Sequence, residues 1–368
     1  MHKKGLFIYR HAALYRFPIY SKIDRELDAE FCFCGQPKLN LKMLDYSLLS
    51  KVDLSLKEID FPYGFYYLKG SLKKPLNKFD YIFINGDIRD ISSWAILIKC
   101  KILRKKIYYW THAWYGKESW FIRKIKRTYY SLGNDIFLYG NYAKNLMIKE
   151  GFNEKKLHVI YNSLDYEKQY SLRKSLIRTN IYKNIFNNNF PVVIFTGRLE
   201  KSKKLDHIIL AQSILQKKGI AFNILFVGSG PEKQKLMDVT ETSGLGKRVH
   251  FYGDCYDETI LSELLYNADL CVSPGSIGLT VLHAFSYGTP VITHNHLPLQ
   301  GPEFEAITDG LTGAFFTYGS VESLASAIRE WLENHTIKTK EQINECFRII
   351  DAKYNPIYQI EIIKAKLK

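Results

Sequence analysis

The chain has no stretch approaching the ~20 consecutive apolar residues that span a bilayer, so no helical membrane span is expected. Its N-terminus, MHKKGLFIYRHAALY, starts basic, but Arg10 breaks the apolar run GLFIY, which is too short for the core of a signal peptide. Six cysteines, Cys32, Cys34, Cys100, Cys255, Cys271 and Cys346, form no C-x-x-C pair and have no histidine spacing typical of zinc. They sit mostly in apolar runs such as FCFC and DLCVSP and read as reduced core residues. No strand-like run is followed by G-x-G-x-x-G opening a helix with an acid about 20 residues on, which argues against a nicotinamide-dependent oxidoreductase. A nucleic-acid module is also missing, so no nucleic-acid partner is expected. These absences point to a cytoplasmic protein that meets a membrane only from its surface.

What is present is a folded composition of 46% hydrophobic, 14% aromatic and 24% charged residues. A length of 368 residues suits two domains of roughly 150 to 200 residues each. The net charge of +15 is unevenly placed: residues 1–170 hold 30 Lys and Arg against 17 Asp and Glu, residues 171–185 add +4, and residues 186–368 are at −2. A basic first half suits an anionic partner such as the inner face of a membrane, or simply a soluble basic surface.

From residue 191 a rhythm of short strand, Gly or Pro, then amphipathic stretch recurs. The strands are PVVIFTG, FNILFVG, VHFYG, LCVSPG, PVITH and the run near Gly313 to Phe316. That is the pattern of an open parallel α/β sheet. GLFIY, EFCFC, DYIFING, KIYYWTH, DIFLYG and LHVIYN repeat it less cleanly in the first half. The division expected is 1–170 for the first domain, 171–190 for a charged, Asn-rich linker and 191–345 for the second domain. Residues 346–368 form a helical end interrupted by Pro356 that packs on its own domain or crosses back. Ligands of such sheets bind at the carboxyl ends of the strands, which here means a cleft between the domains.

Three loops of the second half carry chemistry. In TGRLEKSKKLDHIILA, Arg198 and Lys203 lie five apart after a strand and are placed to converge on phosphate. FVGSGPEKQKL offers Gly228, Gly230, Pro231 and Glu232 in a turn that opens a helix. In PGSIGLTVLHAFSYGTPVITH, Val281, Leu282 and Phe285 face a core while Ser276, Thr280, His283 and Tyr287 form a polar stripe. The backbone N–H groups around Gly278 to Thr280 point forward as an anion site. Each residue also has a plainer reading as a solvated or helix-face group. Glu303 and Glu305 likewise read as either a site acid or a charge pair at a helix start.

Together these loops resemble the nucleotide-sugar domain of family 4 type, retaining glycosyltransferases, the "glycosyl transferases group 1" type. GRLEKSKKL, GSGPE, the segment VSPGSIGLTVLHAFSYGTPVIT and PEFEAITDGLTG carry the resemblance, which covers about residues 100–330. It implies the GT-B fold: α/β, two Rossmann-like domains with parallel sheets facing an interdomain cleft. It also implies that Arg198 and Lys203 neutralise the leaving diphosphate, and that His112 in WTHAWYG lies close to the donor sugar. The donor contacts implied are Gly197, Gly228, Gly230, Pro231, Glu232, Gly275, Ser276, Ile277, Gly278, Leu279, Thr280, His283 and Glu305. Where the family carries two glutamates eight positions apart, this chain has Gly275 and His283, and the histidine can replace the second glutamate at the ribose hydroxyls. The family's N-terminal Gly-rich loop is replaced by YRHAALYRF, which makes Arg10 and His11, with Trp114, acceptor-side candidates.

The function expected is transfer of a sugar from a nucleoside diphosphate donor to a glycan or lipid-linked acceptor in surface polysaccharide synthesis. No cofactor and no metal are expected, because an Arg/Lys clamp and backbone amides stabilise the leaving charge. A GT-B protein that isomerises or only binds nucleotide sugars is the alternative, and a basic nucleic-acid-binding protein is a more distant one. KESWFIRKIKRTYYS combines Trp120, Phe121 and Ile125 with Arg123, Lys124, Lys126 and Arg127. It reads as a basic amphipathic helix for an anionic membrane surface, or as a helix packing Trp120 and Ile125 inward.

Overall fold

Aromatic and β-branched runs favour strands, and in this protein they build two separate sheets. The computed structural model describes residues 3–35, 42–335 and 338–367. It divides into one unit of Met1–Asp165 with Lys353–Lys368 and a second of Tyr166–Ala352.

The first unit holds strands β1 (Lys4–Ile8), β2 (Asp28–Cys34), β3 (Val52–Asp60), β4 (Tyr66–Lys69), β5 (Tyr81–Asn85), β6 (Lys106–Thr111), β7 (Asp135–Leu138) and β8 (Leu157–Val159). Their order is β4-β3-β2-β1-β5-β6-β7-β8, parallel except where β4 runs against β3. Alternate residues face opposite layers. Leu6, Ile8, Ile82 and Ile84 pack with Ile96, Leu97 and Tyr129 on one face. On the other, Phe7, Phe31, Phe83 and Phe137 pack with Tyr20 and Ile23. Phe7 and Phe83 stack with centroids 4.6 Å apart, the offset geometry that adds to simple burial. The same face is covered by the helix Pro356–Leu367, through Ile360 and Ile363. That helix belongs with the first unit and ties to the helix Phe17–Glu26 by Lys364 and Glu26 at 2.9 Å.

The second unit holds β9 (Val192–Thr196), β10 (Asn223–Val227), β11 (Val249–Gly253), β12 (Leu270–Ser273), β13 (Val291–His294) and β14 (Gly313–Phe316), all parallel, in the order β11-β10-β9-β12-β13-β14. Every residue of β9, β10, β12 and β13 is buried, which is why these strands read as continuous apolar runs rather than as alternating ones. Val193, Phe195, Ile224 and Phe226 pack against Ile208, Ile209, Leu324 and Ile328 on one face. The order turns back on itself at β9/β12, so the loops after these strands diverge and leave room for a ligand.

Within 171–190, expected as a linker, the helix Ile181–Phe186 is packed into the second unit. Tyr182 and Phe186 are buried, and the Tyr182 hydroxyl donates to Leu264 O at 2.5 Å.

Candidate functional site

At the carboxyl edge of the second sheet the loops after β9 and β10 are fastened backbone to backbone. Gly197 N donates to Val227 O at 2.9 Å, Leu199 N to Ser229 O at 2.8 Å, and Glu232 N to Leu199 O at 3.0 Å. A Cβ at Gly228 would run into Gly197 O, and one at Gly230 into Leu199 O, with both glycines at positive φ. These two positions therefore demand glycine for close approach. Pro231 follows on the surface, and the Glu232 carboxylate pairs with Lys235 at 3.3 Å.

The third loop, after β12, closes over the first. Lys203 is folded inward: its Nζ donates to Ser276 O at 2.5 Å, and its own carbonyl accepts from Gly275 N at 2.9 Å. Burial lowers the Lys203 pKa, while Glu200 and the buried Glu303 oppose that shift. Gly275 stands where the motif that this loop resembles has its first glutamate, and a Cβ there would fall into the backbone of Ser202 and Lys203. Gln300 braces the far side, accepting from Ile277 N at 3.0 Å while donating to Thr293 Oγ1 at 2.9 Å and His294 O at 2.8 Å. The amides of Gly275 and Ile277 are thus engaged within the protein. Gly278, at φ 53°, has nothing near its missing Cβ, while its own N and Cα lie against Gly301, where a Cβ would come within 3.1 and 3.0 Å of them. Arg198 is exposed and pairs with Glu200 at 3.0 Å, so it and Lys203 are held by different partners. Of the two acids in PEFEA, Glu303 is buried beneath this loop and Glu305 is only partly covered. Sequence reasoning favoured Glu305 by motif position, and only the burial of Glu303 in the turn Pro302–Ala306 marks it.

The helix Thr280–Ser286 buries Val281, Leu282 and Phe285, as its pattern requires, and Gly288 ends it at φ 67°. Its polar stripe is not a solvent face. Thr280 Oγ1 donates to Thr196 O at 3.0 Å, and the buried Tyr287 donates to Glu258 at 2.6 Å. Glu258 also accepts from Gln169, which in turn accepts from Ser286. His283 turns Nδ1 toward Glu258 at 3.8 Å, a buried nitrogen without a hydrogen bond. Its side chain is 26% exposed, which leaves the other ring edge open to solvent. Burial lowers the His283 pKa, and Glu258 partly offsets this. Leu279 bounds the loop as the residue before the helix.

The first unit has a cavity of about 330 Å³ at the carboxyl ends of its strands, lined by Arg16, Asp87, Arg89, His112, Lys126 and Tyr139 among others. His112 follows β6 and lies 4.5 Å, ring to ring, from Tyr139. Burial first, and then the Arg16 charge, pushes its pKa down to about 4, so it is neutral at physiological pH. The turn that carries it is held by two hydrogen bonds. Ala113 takes a left-handed φ of 53°, its amide donates to Thr111 Oγ1 at 3.1 Å, and its carbonyl accepts from Lys126 Nζ at 2.6 Å. Such strain in a non-glycine residue costs of order 1 kcal/mol and persists only where surroundings impose it.

The acceptor-side candidates have other engagements. Arg10 forms a two-pronged pair with Glu58, His11 lies 3.2 Å from the same carboxylate, and Arg10 stacks on Tyr66 at 4.6 Å. Trp114 is buried against Tyr130 and Phe152. Sequence reasoning passed over Arg16, although it stands in the same quoted stretch YRHAALYRF.

In the helix Trp120–Ser131, Trp120 and Phe121 are 66% and 63% exposed, with Lys124 over the Trp120 ring at 3.8 Å. Trp120 therefore does not pack inward. Lys126 does, pairing with Glu118 at 2.7 Å, and Arg123 pairs with Glu150 at 2.6 Å. Among the described residues no helix is long and apolar enough to cross a membrane.

Two Rossmann-like sheets, with glycine turns and a part-buried lysine at the carboxyl edge of the second, make the GT-B fold. HepE of Anabaena, solved in complex with UDP, matches with a TM-score of 0.73 at 18% identity over 99% of both chains. The lipopolysaccharide outer core galactosyltransferase WaaB matches with a TM-score of 0.72 at 16% identity, also over 99% of both. Residues 177–348, within the second unit, match the model of the family described as glycosyl transferases group 1. A 41.2 kDa protein in the cps region of Klebsiella pneumoniae is 26% identical over 291 residues, 74% of each chain.

Proposed function

We propose that the protein moves a sugar from a nucleoside diphosphate donor to a glycan or lipid-linked acceptor, with retention of configuration, in the assembly of a surface polysaccharide. The observation that carries this reading is the part-buried ammonium of Lys203, held 2.5 Å from Ser276 O in a loop cluster built from glycine turns. Breaking a sugar–phosphate bond builds negative charge on the departing diphosphate. A preset cation stabilises that charge without reorganising in the reaction. Arg198 supplies a second cation once it leaves Glu200, so no metal is required on this reading. His283 is assigned to the ribose hydroxyls, Gly278 to Thr280 to the phosphates or sugar, Glu305 to the donor and neutral His112 to the sugar. Retention rests on the resemblance of GRLEKSKKL and GSGPE to the family's motifs. The likeness to HepE, solved with UDP, and to WaaB supports a nucleotide-sugar donor and a surface-glycan role. The test is product analysis with a nucleotide sugar: release of nucleoside diphosphate only when a glycan acceptor is added supports transfer.

One observation favours a second reading. Backbone occupies the space of the family's first glutamate at Gly275, so a sugar contact is missing, as suits a GT-B protein that isomerises or only binds nucleotide sugars. Turnover of the donor without any acceptor would select it.

We also assign the exposed Trp120 and Phe121, with Lys124 and Arg127 beside them, to the surface of an anionic membrane. Such a surface draws in cations and takes up aromatic rings at its boundary, which suits a lipid-linked acceptor.

A further inference from the structure

We propose that the cavity beside His112 takes an oxyanion carried by the acceptor, a sugar carboxylate or a phosphate, and that Arg16 is the residue that holds it. The proposal rests on the transferase reading for the word acceptor, whereas the recognition itself needs only the cavity. Arg16 ends a short turn after β1 and reaches the carboxyl edge at β6 and β7. Its guanidinium lies 5.2 Å from the ring centroids of Trp110 and Tyr139 and 5.8 Å from that of Tyr15, and it donates to the Tyr139 hydroxyl.

The other cations of this region are compensated. Arg89 pairs with Asp87 at 3.3 Å, Lys126 with Glu118 at 2.7 Å and Arg10 with Glu58. Among the described residues no Asp or Glu pairs with Arg16. A cation walled by aromatic rings is poorly hydrated and gains most from an anion brought to it. The buried indole N–H of Trp110 also lacks an acceptor. A guanidinium fork fits planar carboxylate and phosphate oxygens, and aromatic walls suit the apolar face of a sugar ring. The nucleotide's phosphates have the glycine loops and Lys203 of the second unit, which leaves this oxyanion to the acceptor.

The experiment is a proton–nitrogen NMR titration of the full chain with methyl glucuronide, glucose 1-phosphate and neutral methyl glucoside, read at the Trp110 indole resonance. At least one charged probe should bind ten-fold or more tightly than methyl glucoside, and the tighter of the two identifies carboxylate or phosphate as the source. Arg16→Gln should lose that ten-fold, and Arg16→Lys should retain part of it. Binding should also raise the His112 pKa, because the anion offsets the Arg16 charge; a merely structural arginine would not do this. Equal binding of neutral and charged probes, or unchanged binding in Arg16→Gln, would overturn the proposal. Should Arg16→Gln not fold, the comparison of probes on the wild type decides. Added UDP separates the two levels: no UDP binding alongside intact charged-probe binding sinks the transferase reading and leaves Arg16's role standing.

Discussion

Lys203 Nζ and Ser276 O are 2.5 Å apart, and this contact joins the loop after β9 to the loop after β12. The backbone repeats the union, with Gly275 N donating to Lys203 O at 2.9 Å. The lysine is therefore fixed in place before any ligand arrives. Its burial lowers its pKa, and an arriving diphosphate would restore favourable surroundings for the charge.

The same union makes Gly275 intolerant of a side chain. Gly275→Glu, which installs the glutamate of the resembled motif, should lower stability by about 1–3 kcal/mol and weaken UDP binding, because the side chain must displace Ser202 and Lys203. Thermal unfolding and calorimetry check both. A stable Gly275→Glu variant with undiminished UDP affinity would show that the loop yields easily.

His283 separates ligand contact from space-filling. If its open ring edge reads ribose, His283→Ala should weaken UDP by roughly ten-fold, about 1.4 kcal/mol, with His283→Gln recovering part of the loss. Unchanged UDP affinity would reduce the ring to a filler beside Glu258.

Two histidines make the protein acid-sensitive. Burial pushes both His112 and His294 down to about 4 from an ordinary value of about 6.5. Between those values the unfolded chain binds protons that the folded chain refuses, so stability rises with pH across that window and is lost as pH falls through it. His112→Gln should make the pH dependence of first-unit stability between pH 4 and 6.5 shallower by about one proton, and His294→Gln should do so for the second unit. Slopes identical to wild type would mean that the rings ionise normally in the fold.

Most of the architecture was legible because parallel strands buried on both faces announce themselves as unbroken apolar runs. Strand β3 was not, since VDLSLKEID is largely exposed and four of its nine residues, Asp53, Lys57, Glu58 and Asp60, are charged. The glycine turns were visible as punctuation between strand and helix. What the sequence could not display is which partner each charge finds. Arg10 looks like Arg16 on the page, yet one is neutralised by Glu58, 48 residues away, and the other is walled by aromatic rings. Residues 171–190 read as a linker because the two anchoring aromatics, Tyr182 and Phe186, are diluted among asparagines and lysines.

The exposed rings of Trp120 and Phe121 predict flotation with anionic vesicles at low salt, loss as salt rises and no recovery with neutral vesicles. Each nearby Lys or Arg contributes on the order of 1 kcal/mol that salt screens. Trp120→Ser with Phe121→Ser and Lys124→Gln should abolish recovery without changing UDP binding. Lys126 is a poor choice for this test because it holds the His112 turn. Full recovery of the triple variant would move the membrane contact elsewhere.

The central claim, that the second unit grips a nucleoside diphosphate with Lys203, is tested most directly by thermal shift with UDP, GDP, dTDP and their sugars on wild type and on Lys203→Ala. One nucleotide series at 100 times its Kd should stabilise the wild type by about 2.7 kcal/mol. Lys203→Ala, folded and with the same unliganded midpoint within a few degrees, should lose most of that gain. Stabilisation of the variant equal to that of wild type, or no stabilisation of the wild type by any nucleotide, would contradict the account.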